Sequence, residues 1–241
     1  MTVDWDSWPV GDYLAENYRT LHPSDAAIIA HHSAFYRRFA PGELGLTLEF
    51  GAGPNLYPLM VAAAASRRIE AVDRSRACVD YLARQVADAP EPSWLPFYDR
   101  CRALNPALPA ELPEALSRVR VRYGDARTVP AGRYDLASMH FVAESVTDDP
   151  AEFAGFCAAF VGSVRPGGYL LAAFMENMGH YTLGAASRWP GYPVDADTIH
   201  AVFATEVSDL TLTRVDADPT LPEYGYTGMV LLTARRCDHA G

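Results

Sequence analysis

The chain has 241 residues and a formal net charge of −10, from 20 basic and 30 acidic side chains. All the basic residues are arginines, since the sequence contains no lysine. Without lysine the protein cannot form a lysine Schiff base or build a lysine-containing phosphate loop. The acidic balance argues against a nucleic-acid surface, which needs a basic stripe. Composition therefore favours a neutral or cationic ligand over a phosphorylated one.

The distribution of apolar residues and cysteines predicts a cytoplasmic protein without a bound metal. No run reaches the roughly 18 apolar residues of a membrane helix, and the N-terminus, MTVDWDSWPV, lacks the pattern of a secretory signal. The four cysteines are far apart and form no CxxC pair, so we expect neither disulfides nor a zinc site. The length fits one large domain as well as two small ones, and we expect a single domain over residues 1–241.

The first 42 residues are predicted to form a helical cap ahead of the core at 43–241. This cap contains a short aromatic helix over Asp12–Tyr18 and a longer helix over Asp25–Phe39, for which Ser24 is the expected N-cap.

After the cap, short apolar runs alternate with helical patterns, which predicts parallel strands flanked by helices. The last two runs are joined by a loop alone, so we expect them to form a C-terminal antiparallel hairpin. The predicted fold is an α/β, seven-stranded, doubly wound (Rossmann-like) sheet. Its strands are Gly45–Phe50, Ile69–Asp73, Val119–Tyr123, Tyr134–His140, Tyr169–Phe174, Leu210–Val215 and Met229–Ala234.

Two stretches break this alternation and are predicted to be irregular covers. One is a proline-rich insertion at about 90–113, and the other is Glu176–Pro193, directly after the fifth strand. Ligands of open α/β sheets bind beyond the carboxyl ends of the strands. We therefore expect both stretches, with the N-terminal cap, to close over a site at that edge.

The segment LEFGAGPNLY joins the first strand to a helix that is expected to begin near Asn55. Gly51 permits a tight turn, and Gly53 lets a ligand approach the backbone. Asp73 ends the next strand, where a carboxylate can accept hydrogen bonds from both ribose hydroxyls of an adenosine. Asp125 follows the third strand and can accept from an adenine amino group. This pattern predicts a nucleoside site.

The residues around the turn favour S-adenosylmethionine (SAM) over a dinucleotide. NAD sites carry a third glycine, where this chain has Leu56, and Pro54 removes a backbone donor. Glu49 adds a carboxylate beside the turn, which disfavours a pyrophosphate and tolerates a sulfonium or ammonium group.

With these residues in place, the chain resembles the SAM-dependent N-methyltransferases of the nicotinamide, phenylethanolamine and indolethylamine group along nearly its whole length. Its Asp12-Tyr13-Leu14 with Tyr18 resembles their DYL…YY segment, and GAGPxxY, ending at Tyr57, resembles their GSGPxxY turn. Asp73 with Ser75 resembles their ribose-binding element, and Ser93-Trp94 resembles the start of their insertion.

The resemblance implies a class I SAM-dependent methyltransferase whose product is S-adenosylhomocysteine (SAH). In it, the tyrosines close over the methionine end of the cofactor. Turn and resemblance together give a predicted cofactor-binding set: Tyr13, Tyr18, Glu49, Gly51, Ala52, Gly53, Tyr57, Asp73, Arg74, Cys78, Asp125, Ala126 and Met139.

The chain also departs from the family at two positions. Cys78 stands where the family commonly has asparagine, and Phe174 stands where it has the aspartate that faces the amine. Glu176 or Glu144 is the candidate replacement for that aspartate, and an ordinary solvated carboxylate is the alternative for each. Phe141 and Tyr181 are further candidates for the acceptor pocket, with Phe174 itself.

The leading hypothesis is methyl transfer from SAM to a small molecule, at a nitrogen of an amine or azaarene. The alternatives are O-methylation of a phenol or enol and a non-catalytic SAM-binding module, with an NAD(P)-dependent oxidoreductase less favoured. O-methylation needs a base, for which His140, His180 and Glu176 are candidates beside Glu144. We expect no nucleic-acid or membrane partner, and a monomer or weak homodimer.

Overall fold

A computed structural model describes residues 4–87, 90–183, 187–219 and 225–238. The helices are α1 (Val10–Asn17), α2 (Pro23–Tyr36), α3 (Tyr57–Ala62), α4 (Arg76–Ala87), α5 (Leu95–Leu104), α6 (Leu112–Leu116), α7 (Pro150–Ser163) and α8 (Ala196–Phe203). The strands are β1 (Leu44–Phe50), β2 (Ser66–Asp73), β3 (Val119–Tyr123), β4 (Tyr134–His140), β5 (Val164–Glu176), β6 (Tyr181–Leu183), β7 (Ser187–Trp189), β8 (Val207–Asp216) and β9 (Gly228–Arg236).

Seven strands form one sheet in the order β3-β2-β1-β4-β5-β9-β8. Strands β1 to β5 are parallel, and β9 runs antiparallel between β5 and β8. The predicted doubly wound sheet and its C-terminal hairpin are therefore confirmed. The strand order reverses between β1 and β4, so the carboxyl ends of these strands flank the switch point at which such sheets bind ligands.

Two hydrophobic layers cover the faces of the sheet. One contains residues of α2, α3 and α5, such as Ile28, Leu59 and Phe97, against Leu171 of β5. The other contains residues of α7 and α8, such as Phe153 and Phe203, against the opposite face. Each fully buried large side chain stabilises the fold by about 1.5–3 kcal/mol. The sheet is thus held rigidly between the layers, which fixes its carboxyl edge.

The N-terminal segment forms two helices, with bounds that differ from the prediction. The helix α2 begins at Pro23, with His22 rather than Ser24 as its N-cap, because proline fits the first turn of a helix. No helix among the described residues is long and apolar enough to cross a membrane.

The proline-rich insertion is more regular than predicted. It contains α5, whose Phe97, Tyr98 and Cys101 are buried against the core. Pro92, Pro96 and Pro113 lie in the first turns of short helices, where they replace amides that have no intrahelical acceptor. The second predicted cover, after β5, contains the small hairpin β6–β7.

Candidate functional site

A cleft of about 1060 Å³, its open mouth included, lies at the carboxyl edge of the parallel strands. Strand ends form its floor, while the N-terminal segment and the β6–β7 hairpin form its sides. Its walls are Trp5, Trp8, Tyr13, Phe50, Gly51, Ala52, Gly53, Pro54, Asn55, Asp73, Arg74, Ser75, Cys78, Asp125, Ala126, His140, Phe141, Val142, Ser145, Val146, Phe156, Met175, Met178, Tyr181 and Leu183.

The glycine turn after β1 is locked to the end of β2. Gly51 and Gly53 have φ values of +68° and +54°, a conformation that favours glycine. The Gly53 N–H donates to Asp73 Oδ2 at 2.8 Å, and the Ser75 N–H donates to Asp73 Oδ1 at 2.7 Å. Burial raises the pKa of Asp73, while the two backbone donors oppose that rise. One carboxylate thus fixes the turn and faces the cleft beside it.

The space available for a side chain at Gly51 differs sharply from that at Gly53. A Cβ on Gly51 would lie 2.6 Å from Val142 Cγ1, whereas a Cβ on Gly53 would meet no atom within 4 Å. Gly51 is therefore required by protein packing. Gly53 leaves open room in the cleft wall, in which a ligand can reach the backbone.

Asp125 and Ala126 line the cleft beyond β3. The Arg127 side chain donates to Asp125 from Nε at 3.0 Å and Nη2 at 2.6 Å. Burial would raise the pKa of Asp125, but the bonds from Arg127 outweigh it and hold that pKa below its ordinary value. Asp125 is thus an ionised hydrogen-bond acceptor at this end of the cleft.

The N-terminal segment crosses the cleft near Arg74. The Arg74 guanidinium lies 5.1 Å from the ring centre of Trp5, which itself packs at 5.3 Å against Trp189 of β7. The Arg76 N–H donates to Asp6 Oδ1 at 2.6 Å. These contacts join the N-terminus to α4 and the small hairpin, so they cover the end of the cleft next to Asp73.

The predicted tyrosines cluster near the glycine turn. The hydroxyls of Tyr13 and Tyr18 are 3.2 Å apart, and Asn55 Nδ2 donates to the Tyr18 hydroxyl at 3.1 Å. Burial, aided by the neighbouring Tyr13 and Tyr57, raises the pKa of Tyr18 well above its ordinary value. Tyr57 lies fully buried behind this pair and stacks on Phe97. Tyr13 reaches the cleft directly, whereas Tyr57 supports it from the core.

Glu49 belongs to a buried hydrogen-bond chain rather than to the cleft wall. His140 Nδ1 lies 2.8 Å from Glu49 Oε1, and His140 Nε2 lies 2.8 Å from His32 Nε2. The chain continues from His32 Nδ1 to His31 Nδ1 at 3.1 Å. Burial, with His140 and His31 nearby, lowers the pKa of His32 well below its ordinary value. Both ring nitrogens of His140 are therefore engaged within the protein.

Two predicted residues face the core instead of the cleft. Phe174 is fully buried against Phe153 and Phe203, and Met139 is fully buried in the same layer. Since side chains alternate along a strand, Met175 is the β5 residue that reaches the cleft.

Three candidate acids or bases also lie outside the cleft. Glu144 is fully buried and accepts from the Met175 N–H at 2.8 Å. Glu176 accepts from Arg214 Nε at 2.9 Å and from the Thr227 hydroxyl at 2.7 Å. His180 lies at the surface, with Nε2 3.2 Å from Asp148. The cleft is built without these three side chains.

Several cleft residues were not anticipated from sequence. Trp5 and Trp8 had a visible signal, since two tryptophans stand in a polar N-terminal segment expected to cover the site. Val142, Phe156 and Met178 gave none, because isolated apolar residues in these positions look like ordinary core.

This chain is similar to known proteins in its three-dimensional structure. No family model and no curated protein sequence matches this chain. It is similar to the N-methyltransferase NodS of Bradyrhizobium japonicum WM9 bound to SAH, with 12% identity, a TM-score of 0.55, and coverage of 97% of this chain and 93% of that chain. It is also similar to the 1,6-didemethyltoxoflavin-N1-methyltransferase of Burkholderia thailandensis, with 19% identity, a TM-score of 0.52, and coverage of 89% and 80%.

A SAM-dependent methyltransferase of Methanosarcina mazei has a TM-score of 0.60 at 11% identity, with coverage of 91% of this chain and 100% of that one. The chain has the class I SAM-dependent methyltransferase fold. This confirms the predicted fold class, and at these identities the likeness extends to the fold alone.

Proposed function

We propose that this protein is a SAM-dependent methyltransferase that methylates a nitrogen of a small amine or azaarene. One observation carries the proposal: the turn Gly51–Gly53 is tied to Asp73 at the carboxyl edge of a sheet with methyltransferase strand order. An adenosine-containing ligand needs this arrangement of open backbone and ribose-facing carboxylate.

The cleft residues fit SAM chemically. Each Asp73 oxygen accepts one backbone N–H and keeps acceptor capacity for a ribose hydroxyl. Gly53 leaves space for the cofactor to approach the backbone. Asp125 would accept from the adenine amino group, and Tyr13 would face the methionine end. Negative charge at Asp73 and Asp125 suits a cationic cofactor.

The remaining residues of the predicted cofactor set have different parts in this proposal. Ala52, Arg74, Cys78 and Ala126 line the cleft and would contact the cofactor. Tyr18, Tyr57 and Glu49 would support these contacts from behind, and Met139 has no contact with the cleft.

Bound SAM would supply the methyl group of its sulfonium to a neutral nitrogen, with SAH as the leaving group. The protein contributes by holding donor and acceptor at near-attack distance, an effect worth up to about 7–11 kcal/mol. Phe141, Met175, Met178 and Leu183 give the cleft apolar walls beyond the turn. These walls exclude water and shape the acceptor site, for which Tyr181 provides a further side.

None of the four acids and bases predicted from sequence is available at the cleft, which supports nitrogen over oxygen as the acceptor. A phenol must lose its proton to react, whereas a neutral nitrogen already carries a lone pair. His140 has both ring nitrogens bonded, His180 lies at the surface, and Glu176 is paired with Arg214. The geometry thus favours chemistry that depends on positioning.

The test is incubation of the protein with methyl-labelled SAM and separate panels of amines, azaarenes and phenols. The proposal predicts label transfer to at least one nitrogen compound and none to the phenols. Transfer only to phenols would contradict the choice of nitrogen. SAH binding without transfer to any member of the three panels would favour a non-catalytic SAM-binding module.

A further inference from the structure

A smaller cavity adjoins the cleft and shares Tyr13, Phe141 and Met175 with it. It encloses about 400 Å³, its mouth included, and lies among α1, α2 and the ends of β5 and β9. Its other walls are Asn17, Tyr18, Asp25, Tyr226 and Met229. The side cavity therefore lies directly beside the cleft, with these three side chains bordering both spaces.

Asp25 gives the side cavity a buried carboxylate without a counterion. The residue is only 5% exposed, and no arginine or histidine side chain forms an ion pair with it in the part of the chain that is described. His22, at the start of the same helix, lies 3.8 Å from Asp218 instead. The described residues thus offer Asp25 no cationic partner, and a cationic ligand would supply one.

The surroundings of Asp25 show that its charge is poorly compensated. Burial raises the pKa of Asp25 to about 7, and the nearby Asp218 carboxylate adds to that rise. The hydroxyl of Tyr57 and the backbone of His22 act in the opposite direction, but both are neutral groups. An ionised carboxylate in such a place is stabilised most by an opposite charge at contact distance.

The other walls suit a cation with N–H groups. Tyr13, Tyr18, Phe141 and Tyr226 surround the cavity with aromatic rings, whose faces attract cations. The Tyr226 hydroxyl is buried beside the backbone of Asp218, and its oxygen has a second lone pair with which it can accept from an ammonium N–H. Carboxylate, hydroxyl and rings together form a receptor for a small alkylammonium group.

We propose that the side cavity anchors the methyl acceptor through a protonated amino group paired with Asp25. This inference rests on the proposed methyltransferase function, since it makes the cavity part of the acceptor site. A protonated nitrogen has no lone pair, so the nitrogen that attacks the methyl group is a different, neutral one. The substrate class is therefore a small molecule with an aliphatic ammonium group and a second nitrogen, such as an aminoalkyl azaarene.

The test compares 2-(pyridin-3-yl)ethylamine with 3-ethylpyridine, which lacks only the amino group. Calorimetric titration into the SAH-loaded protein is expected to show at least 10-fold tighter binding of the amine at neutral pH. Asp25→Asn removes this preference, and Asp80→Asn, on the exposed face of α4, retains it. Tyr226→Phe provides a second variant that leaves the carboxylate in place and reduces the preference several-fold.

Three outcomes overturn the inference. One is an equal affinity of the wild-type protein for the two probes, including no binding of either. Another is a preference that survives in Asp25→Asn. The last is a weakening of SAH binding by 10-fold or more in Asp25→Asn, which would assign the carboxylate to the cofactor's own ammonium group. Failure of the wild-type protein to bind SAH would instead refute the proposed function.

Discussion

Replacing Gly51 by alanine tests the structure of the turn after β1. A residue other than glycine at φ +68° costs about 1–2 kcal/mol. The new Cβ would also lie 2.6 Å from Val142 Cγ1, and overpacking of this kind costs about 1–3 kcal/mol. We therefore expect Gly51→Ala to lower the free energy of unfolding by about 2–5 kcal/mol.

Gly53→Ala is the matched control, because its φ is also positive but its Cβ meets no protein atom within 4 Å. We therefore expect Gly53→Ala to lower the free energy of unfolding by the backbone cost alone, about 1–2 kcal/mol. Its methyl group enters the cleft wall, so we expect SAH affinity to fall at least 10-fold in a stably folded protein.

Urea unfolding followed by tryptophan fluorescence, together with calorimetric SAH titration, separates the two effects. Equal destabilisation by the two variants would refute the close packing of Gly51 on Val142. Unchanged SAH affinity in Gly53→Ala would refute the placement of the cofactor against this turn.

Two further substitutions test the charges of the site and its surroundings. Asp73→Asn removes the negative charge that would accept the ribose hydroxyls, so SAH binding should weaken by about 1.5–3 kcal/mol in calorimetry; unchanged affinity would contradict the ribose assignment. Burial raises the pKa of Glu144 to about 8, so its contribution to stability is complete below pH 4.5 and is lost as the pH rises toward 8. Between pH 5 and 8, the free energy of unfolding of Glu144→Gln should therefore rise relative to that of the wild-type protein by about 1.4 kcal/mol per pH unit, as measured by denaturant unfolding. A difference independent of pH would show that Glu144 is not held protonated.

The strands were predictable because buried parallel strands appear as short apolar runs between turn signals. The bounds of β3 and β4 agree with the prediction to the residue. The glycine turn and its partner Asp73 were also predictable, because fixed spacing brings the ends of two neighbouring strands together.

Which side chains of β5 face the cleft was not predictable in the same way. Its residues YLLAAFM are apolar on both faces of the strand. The sequence therefore lacks the alternation of polar and apolar residues that would indicate which face reaches the cleft. In the structure, β5 extends to Glu176 and pairs with β9 in the antiparallel direction. Met175 of this strand lies at the cleft, and Phe174 lies in the core.

Long-range contacts account for the other differences. His32 and His140 are 108 residues apart in sequence, and their hydrogen bond depends on how α2 packs over β4. Asp25 gave only the signal of an acidic residue near the start of a helix, which is ordinary there. Its position in the side cavity follows from the packing of α1, α2 and the β8–β9 hairpin together.

Calorimetric titration of the wild-type protein with SAH and, separately, with NAD⁺ tests the central claim most directly. The account predicts saturable binding of one SAH per chain and no binding of NAD⁺ at the same protein concentration. Binding of NAD⁺ without binding of SAH would contradict it.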